Sequence, residues 1–117
     1  MKWIDYECPT SVDDALKLIS SANGGAKLLA GGTDLIVQMR AGALTPGLAV
    51  DVKSIPELNE LSLSSSGLTI GAAVPCYKIY NHSGIVANFP GLIDCSSLIG
   101  GTQIQGRASL GGNLCNA

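Results

Sequence analysis

Charge is scarce in this sequence. Only 14% of its 117 residues are acidic or basic, and seven cations stand against nine anions for a net charge of -2. That balance supplies no basic face for a phosphate backbone, so nucleic acid is not expected as a partner. Long apolar runs are missing as well: the chain is 46% hydrophobic, too apolar for a disordered segment, yet no stretch approaches the roughly 20 residues that span a bilayer. No membrane segment is expected. The opening MKWIDYECPT lacks the apolar core of a secretory signal, and the reading places the chain in the cytoplasm. Cys8, Cys76, Cys95 and Cys115 lie far apart with no C-x-x-C pair. They read as buried or half-buried thiols in a reducing compartment, and no metal ligands are assigned. The one histidine, His82 in YNHSG, reads as a surface residue without a nucleophile or ligand set beside it. No residue reads as a general base or nucleophile, so no catalytic residue is assigned.

What is present is patterned. Ser11 and Asp14 form a capping-box-like start, and Val12, Ala15, Leu16 and Ile19 follow at helical spacing until Asn23–Gly25 stops the helix. Lys27–Ala30 reads as a short strand, Gly31–Gly32 as a tight turn, and Leu35 to Met39 as a helix with Thr33 or Asp34 at its cap. Leu48–Val52 reads as a second strand, giving a small parallel β–α–β layer. A glycine turn opening a helix brings unsatisfied backbone amides to an approaching anion without requiring lysine.

Pro56 marks a boundary, dividing residues 1–57 from residues 58–117. Beyond it LSLSSSGLTIGAAV reads as two antiparallel strands around Ser65, Ser66 and Gly67, and short helices are expected over Pro75–Tyr80 and Gly91–Ile99. The fold class is therefore α+β. The second half holds only Glu60, Lys78, Asp94 and Arg107 as charges, too few for a mostly solvated surface, so it is expected to pack on further protein. Trp3, Tyr77 and Tyr80 read as packing residues, with Tyr77 near a cleft. In RASLGGNLCNA, Ser109, Gly111, Gly112 and Asn113 offer a hydroxyl, close backbone approach and an amide. Two such loops in different subdomains suit a long phosphate-bearing ligand held between them.

AGGTDL together with RASLGGNLCNA, and with IPELNEL and LTIGAAV between them, resembles the flavin-binding subunit or domain of molybdenum hydroxylases, the xanthine and carbon monoxide dehydrogenase family. The resemblance implies the first part of an FAD-binding fold of that family, cut short: a parallel subdomain over 1–57 and the beginning of an antiparallel one over 58–117. It implies noncovalent FAD as cofactor, held by Lys27, Leu28, Leu29, Ala30, Gly31, Gly32, Thr33, Asp34 and Leu35, and by Gly100, Ala108, Ser109, Gly111, Gly112, Asn113 and Cys115. It further implies an oxidoreductase component that passes electrons from iron–sulfur centres through FAD to an acceptor. An iron–sulfur subunit and a molybdopterin-binding subunit are the implied partners. The family domain continues past GGNLCNA, so the chain alone is expected to be inactive, with an open edge on its second sheet. Two alternatives stand beside this reading, a noncatalytic fragment and another phosphate- or nucleotide-binding module. Against the latter, AGGTDL lacks G-x-G-x-x-G and Asp51 is the one candidate for a ribose-binding acid.

Overall fold

The computed structural model describes residues 2–116. Helix α1 (Val12–Ser21) begins where Ser11 Oγ accepts from the Asp14 amide at 3.1 Å and donates to the Asp14 carboxylate at 2.8 Å. It ends before Asn23 and Gly24, both at positive φ, as the NGG signal predicts. Its inner face differs from the predicted one. Ala15 is buried and Leu18 and Ile19 pack beside it, whereas Val12 and Leu16 face outward. The helix is only half covered, so apolar spacing alone did not reveal which edge of the stripe turns inward.

Three parallel strands form the first sheet in the order β1 (Asp5–Glu7), β3 (Leu48–Asp51), β2 (Ala26–Leu29). The strand–helix–strand unit β2–α2–β3, with α2 spanning Leu35–Arg40, is present as expected, each strand ending one residue earlier than read from sequence. Central β3 is the most enclosed, with Ala49, Val50 and Asp51 buried, because a parallel strand between two neighbours is covered on both faces. Strand β1 carries DYE on an edge and shows no apolar period, so it left no signal in the sequence.

The second half opens with a 3-10 turn, Pro56–Asn59, and the hairpin β4 (Leu61–Ser64) and β5 (Gly67–Ile70), which pair Leu61 with Ile70 and Leu63 with Leu68. Short helices follow: α3 (Cys76–Tyr80), α4 (Ser83–Asn88), α5 (Pro90–Ser97), α6 (Thr102–Gln105) and α7 (Leu110–Leu114). The stretch read as a second glycine loop is thus largely helical. His82 is half-buried and caps α4, its Nδ1 accepting from the Ile85 amide at 3.3 Å, rather than standing in an exposed loop. The cysteine expectation is also corrected. Cys76 alone is buried, and burial pushes its thiol up, while Cys8, Cys95 and Cys115 are exposed. Trp3, read as a packing residue, is 93% exposed.

Two apolar clusters meet at residues 73 and 74. Ala73 joins Ala15, Val50, Val52 and Ile55 under the parallel sheet, and Val74 joins Ile79 and Ile85 beneath the hairpin. Gly71 makes this seam possible, since a Cβ there would overlap the Leu58 carbonyl. The Gly71 amide donates to Glu60 O at 2.7 Å and the Ala73 amide to Leu58 O at 2.8 Å.

A buried carboxylate ends the central strand. Asp51 Oδ2 accepts from the Tyr6 hydroxyl of β1 and from Lys53 Nζ at 2.6 Å, while Oδ1 accepts from the Lys53 amide at 2.9 Å. Burial draws this carboxyl upward, but Lys53 and Tyr6 outweigh burial and hold it below its ordinary value. The hydrogen bond to that carboxylate, with burial, pushes the Tyr6 hydroxyl up to about 12. Because the folded Asp51 value is depressed, its stabilisation is complete above the unfolded value of about 4 and is lost as pH falls through the folded one. Tyr6 has the opposite sign: its contribution is complete below its ordinary value of 10.0 and is lost as pH rises through about 12. Asp51→Asn is therefore expected to cost about 2 kcal/mol in urea unfolding at pH 7, with the gap to wild type narrowing below about pH 4.

Candidate functional site

Strand β2 delivers the AGGTDL segment to the top of the sheet, where it meets the segment between α6 and α7. Gly31 decides how closely they meet. A Cβ at that position would overlap the Arg107 carbonyl and lie 3.0 Å from Ala108 Cα, so the two backbones touch only because the side chain is absent. Arg107 Nε also donates to Gly31 O at 3.3 Å. Gly32, at φ +76, turns the chain into α2.

The opposing segment is fixed from behind. The Cys76 amide donates to Ala108 O at 2.8 Å, Pro75 and Ser109 form an antiparallel bridge, and Gly111 lies against the Ala72 backbone, where a Cβ would come within 2.6 Å of Ala72 O. Ser109 is buried, and its Oγ caps α7 by accepting from the Gly112 amide at 3.1 Å. Gln105, also buried, donates to Ser97 O at 2.6 Å and Gly100 O at 3.2 Å, holding the 97–101 turn against the same wall.

Between the walls lies a cleft of about 1140 Å³. Lys27, Leu28, Ala30, Gly31, Gly32, Thr33, Asp34 and Leu35 line one side, and Gly100, Ala108, Ser109, Gly111, Gly112, Asn113 and Cys115 line the other. Of the residues expected at the site, Leu29 alone is turned away, its side chain packed beside Gly32. Asp34 stands at the cap position of α2 but makes no capping hydrogen bond and is exposed to the cleft, so its expected capping role is not realised. Arg107 and Tyr77 do not line the cleft; both line a separate hollow of about 240 Å³.

The sequence reading missed the apolar part of the lining. Leu98, Ile99 and Ile104 line the cleft as Leu28 does, with Leu98 81% and Leu28 55% exposed. Large aliphatic residues on a surface in a helical stretch were the available signal. Gln38 and Asn116 also line the cleft, Gln38 Nε2 donating to Asn116 Oδ1 at 3.2 Å.

The polar chemistry of the cleft comes from the backbone. Among the described residues, no protein acceptor takes the amides of Gly31, Gly32, Thr33, Asp34, Leu35 or Gly111, and all six residues line the cleft. Lys27 and Asp34 are the only charged residues along it among those described. Free amides on two stretches of one cleft, with exposed aliphatics along the same lining, suit a long ligand that has anionic and apolar parts. Asp51 is already bound by Tyr6 and Lys53 and lies outside the lining, so it offers nothing to a ribose there.

A family described as the FAD binding domain in molybdopterin dehydrogenase matches residues 2–117. The chain is 35% identical over 112 residues to the xanthine dehydrogenase FAD-binding subunit of Escherichia coli O157:H7, covering 95% of this chain and 38% of that protein. It is 30% identical over 112 residues to the carbon monoxide dehydrogenase medium chain of Hydrogenophaga pseudoflava, covering 96% and 39%. The solved structure of carbon monoxide dehydrogenase from that organism superposes with a TM-score of 0.92 at 30% identity, over 97% of this chain and 39% of that one. The chain thus spans about two fifths of the length of these relatives.

Two substitutions probe the walls. Gly31→Ala forces the backbones apart and is expected to cost about 1–3 kcal/mol, as overpacking does. Ser109→Ala removes the α7 cap and is expected to cost about 1 kcal/mol. Urea unfolding of both variants against wild type measures the order, which reverses if the Gly31 contact is slack.

Proposed function

This chain belongs to the family of FAD-binding domains in molybdopterin dehydrogenases, and we propose that its two facing walls hold the FAD of an oxidoreductase of this class. The observation that carries the reading is the set of unpartnered amides at Gly31–Leu35 and Gly111 on opposite sides of one cleft. A pyrophosphate is an acceptor-only group, and bare amides at glycine positions are the donors that approach it most closely. Under this reading residues 27–35 form the first contacting stretch, with the Thr33 hydroxyl as a further donor. Gly100, Ala108, Ser109, Gly111, Gly112, Asn113 and Cys115 form the second. Ser109 acts chiefly by shaping α7, since its oxygen is engaged by the Gly112 amide.

When bound, FAD supplies the redox chemistry, and the protein's contribution is position, shielding and electrostatics. Leu28, Leu98, Ile99 and Ile104 give the cleft an apolar surface from which a planar ring excludes water. Asp34 places a carboxylate at the opening of α2, where it fixes the sign of charge a ligand group must avoid or must bring as a donor. Under this reading residues 1–57 and 58–117 are the two subdomains that meet at the cleft, a division supported by the parallel sheet within the first and the antiparallel hairpin within the second, with Leu58 and Ala73 reaching back into the first apolar cluster.

The relatives' names carry the reading one step further: medium chain, FAD-binding subunit and complex subunit describe components of larger enzymes. Electrons then enter from an iron–sulfur subunit fed by a molybdopterin-binding subunit and leave FAD for an acceptor. The sparse charge of residues 59–117 and the exposed Val86 and Leu114, which lie outside the cleft lining, fit a chain that packs on other protein.

The tagged chain, purified with the polypeptides that assemble with it, is expected to carry noncovalent flavin that acid releases as FAD. Gly32→Val and Gly112→Val are each expected to strip most of it, the first by strain at φ +76 and the second by crowding the Ser109 cap. Full flavin content in both variants overturns the clamp. A wild-type preparation that neither contains FAD nor takes it up overturns the function, and saturable binding of NAD in its place favours a different nucleotide module.

A further inference from the structure

We propose that Lys53 and Arg107 are positioning residues for the first FAD-contacting loop, acting from behind it through two consecutive backbone carbonyls; the inference rests on the FAD reading above. Lys53 Nζ donates to Ala30 O at 3.2 Å, and Arg107 Nε donates to Gly31 O at 3.3 Å. In a planar trans peptide the carbonyl and the following amide point in opposite directions. Drawing Ala30 O toward Lys53 therefore turns the Gly31 N–H the other way, and drawing Gly31 O toward Arg107 does the same for the Gly32 N–H. Both of these amides lack a protein acceptor among the described residues, and both residues line the cleft.

The cations lie on the opposite side of the loop from the ligand. Neither lines the cleft; both line the smaller hollow, which shares no lining residue with it. Their charge reaches the ligand through the peptide units, since a cation on a carbonyl polarises the linked amide and strengthens it as a donor. Lys53 is itself held. The buried Asp51 carboxylate binds its ammonium at 2.6 Å, and the Asn59 side chain donates to Lys53 O at 2.9 Å. Arg107 comes from the second wall, so its hydrogen bond ties the aim of the first loop to the seating of the other segment.

The test uses the flavoprotein purified with its assembling polypeptides, stripped of FAD and titrated with it. Lys53→Met and Arg107→Met are each expected to raise the FAD dissociation constant about tenfold, the scale of one charge-assisted hydrogen bond, and Lys53→Arg to recover most of the loss. Phosphorus NMR of the bound pyrophosphate is expected to shift in both methionine variants. Lys78→Met, in the same hollow without a bond to the loop, should leave affinity and resonances unchanged. If Lys53→Met fails to fold by circular dichroism, the exposed Arg107→Met decides the matter alone. Wild-type affinity and wild-type phosphorus resonances in Arg107→Met, or equal losses in Lys78→Met, overturn the positioning roles while leaving the FAD reading intact. Failure of the wild-type protein to bind FAD overturns both.

Discussion

Two stretches of chain 76 positions apart meet backbone to backbone because position 31 has no side chain. The rest of the site follows from that contact. With Gly31 seated against Arg107 and Ala108, the turn after β2 and the α7 segment line one cleft, and both carry amides without a protein acceptor among the described residues. A methyl group at residue 31 would wedge the walls apart at their closest point. The glycine thus sets the width of the site, independently of any contact it makes with a ligand.

Behind the second wall runs the seam of residues 71–76, and it couples the site to both cores. Gly71 and Ala73 bond back to the 58–60 segment, Val74 enters the core beneath the hairpin, and Cys76 and Pro75 pin Ala108 and Ser109. Packing density transmits small displacements, so the position of Gly111 depends on how the hairpin and the parallel sheet seat against each other. A cleft built between two clusters gains its shape from their junction. Neither half lines it alone.

The sparse charge of the sequence acquires a physical meaning at this site. Under the FAD reading, anion recognition falls chiefly to peptide dipoles: Lys27 is the one cation along the cleft among the described residues, and Lys53 and Arg107 stand behind the loop. Fixed dipoles need no side-chain ordering when a ligand arrives, whereas a lysine reaching into the cleft would lose rotamer freedom on binding. Asp51 completes the arrangement. It compensates Lys53 at 2.6 Å and joins β1 to β3 through Tyr6, so that one buried carboxylate serves sheet and loop together.

Local chemistry written in consecutive residues was legible from the sequence: the Ser11 cap, the NGG stop, the unit around AGGTDL, the SSG hairpin, and a set of expected site residues of which all but Leu29 line the cleft. These depend on backbone conformation or spacing that a few neighbours fix by themselves. The edge strand DYE, the inward turn of Ala15, Leu18 and Ile19, the cap made by His82, and the exposure of three cysteines and Trp3 were decided by tertiary structure. Each depends on what lies opposite, and a residue's own pattern does not encode its neighbour. The same holds for the cations: Lys53 and Arg107 acquire their carbonyl partners only when β3 and the second wall are brought to the turn after β2, since long-range contacts form from the packing of whole elements.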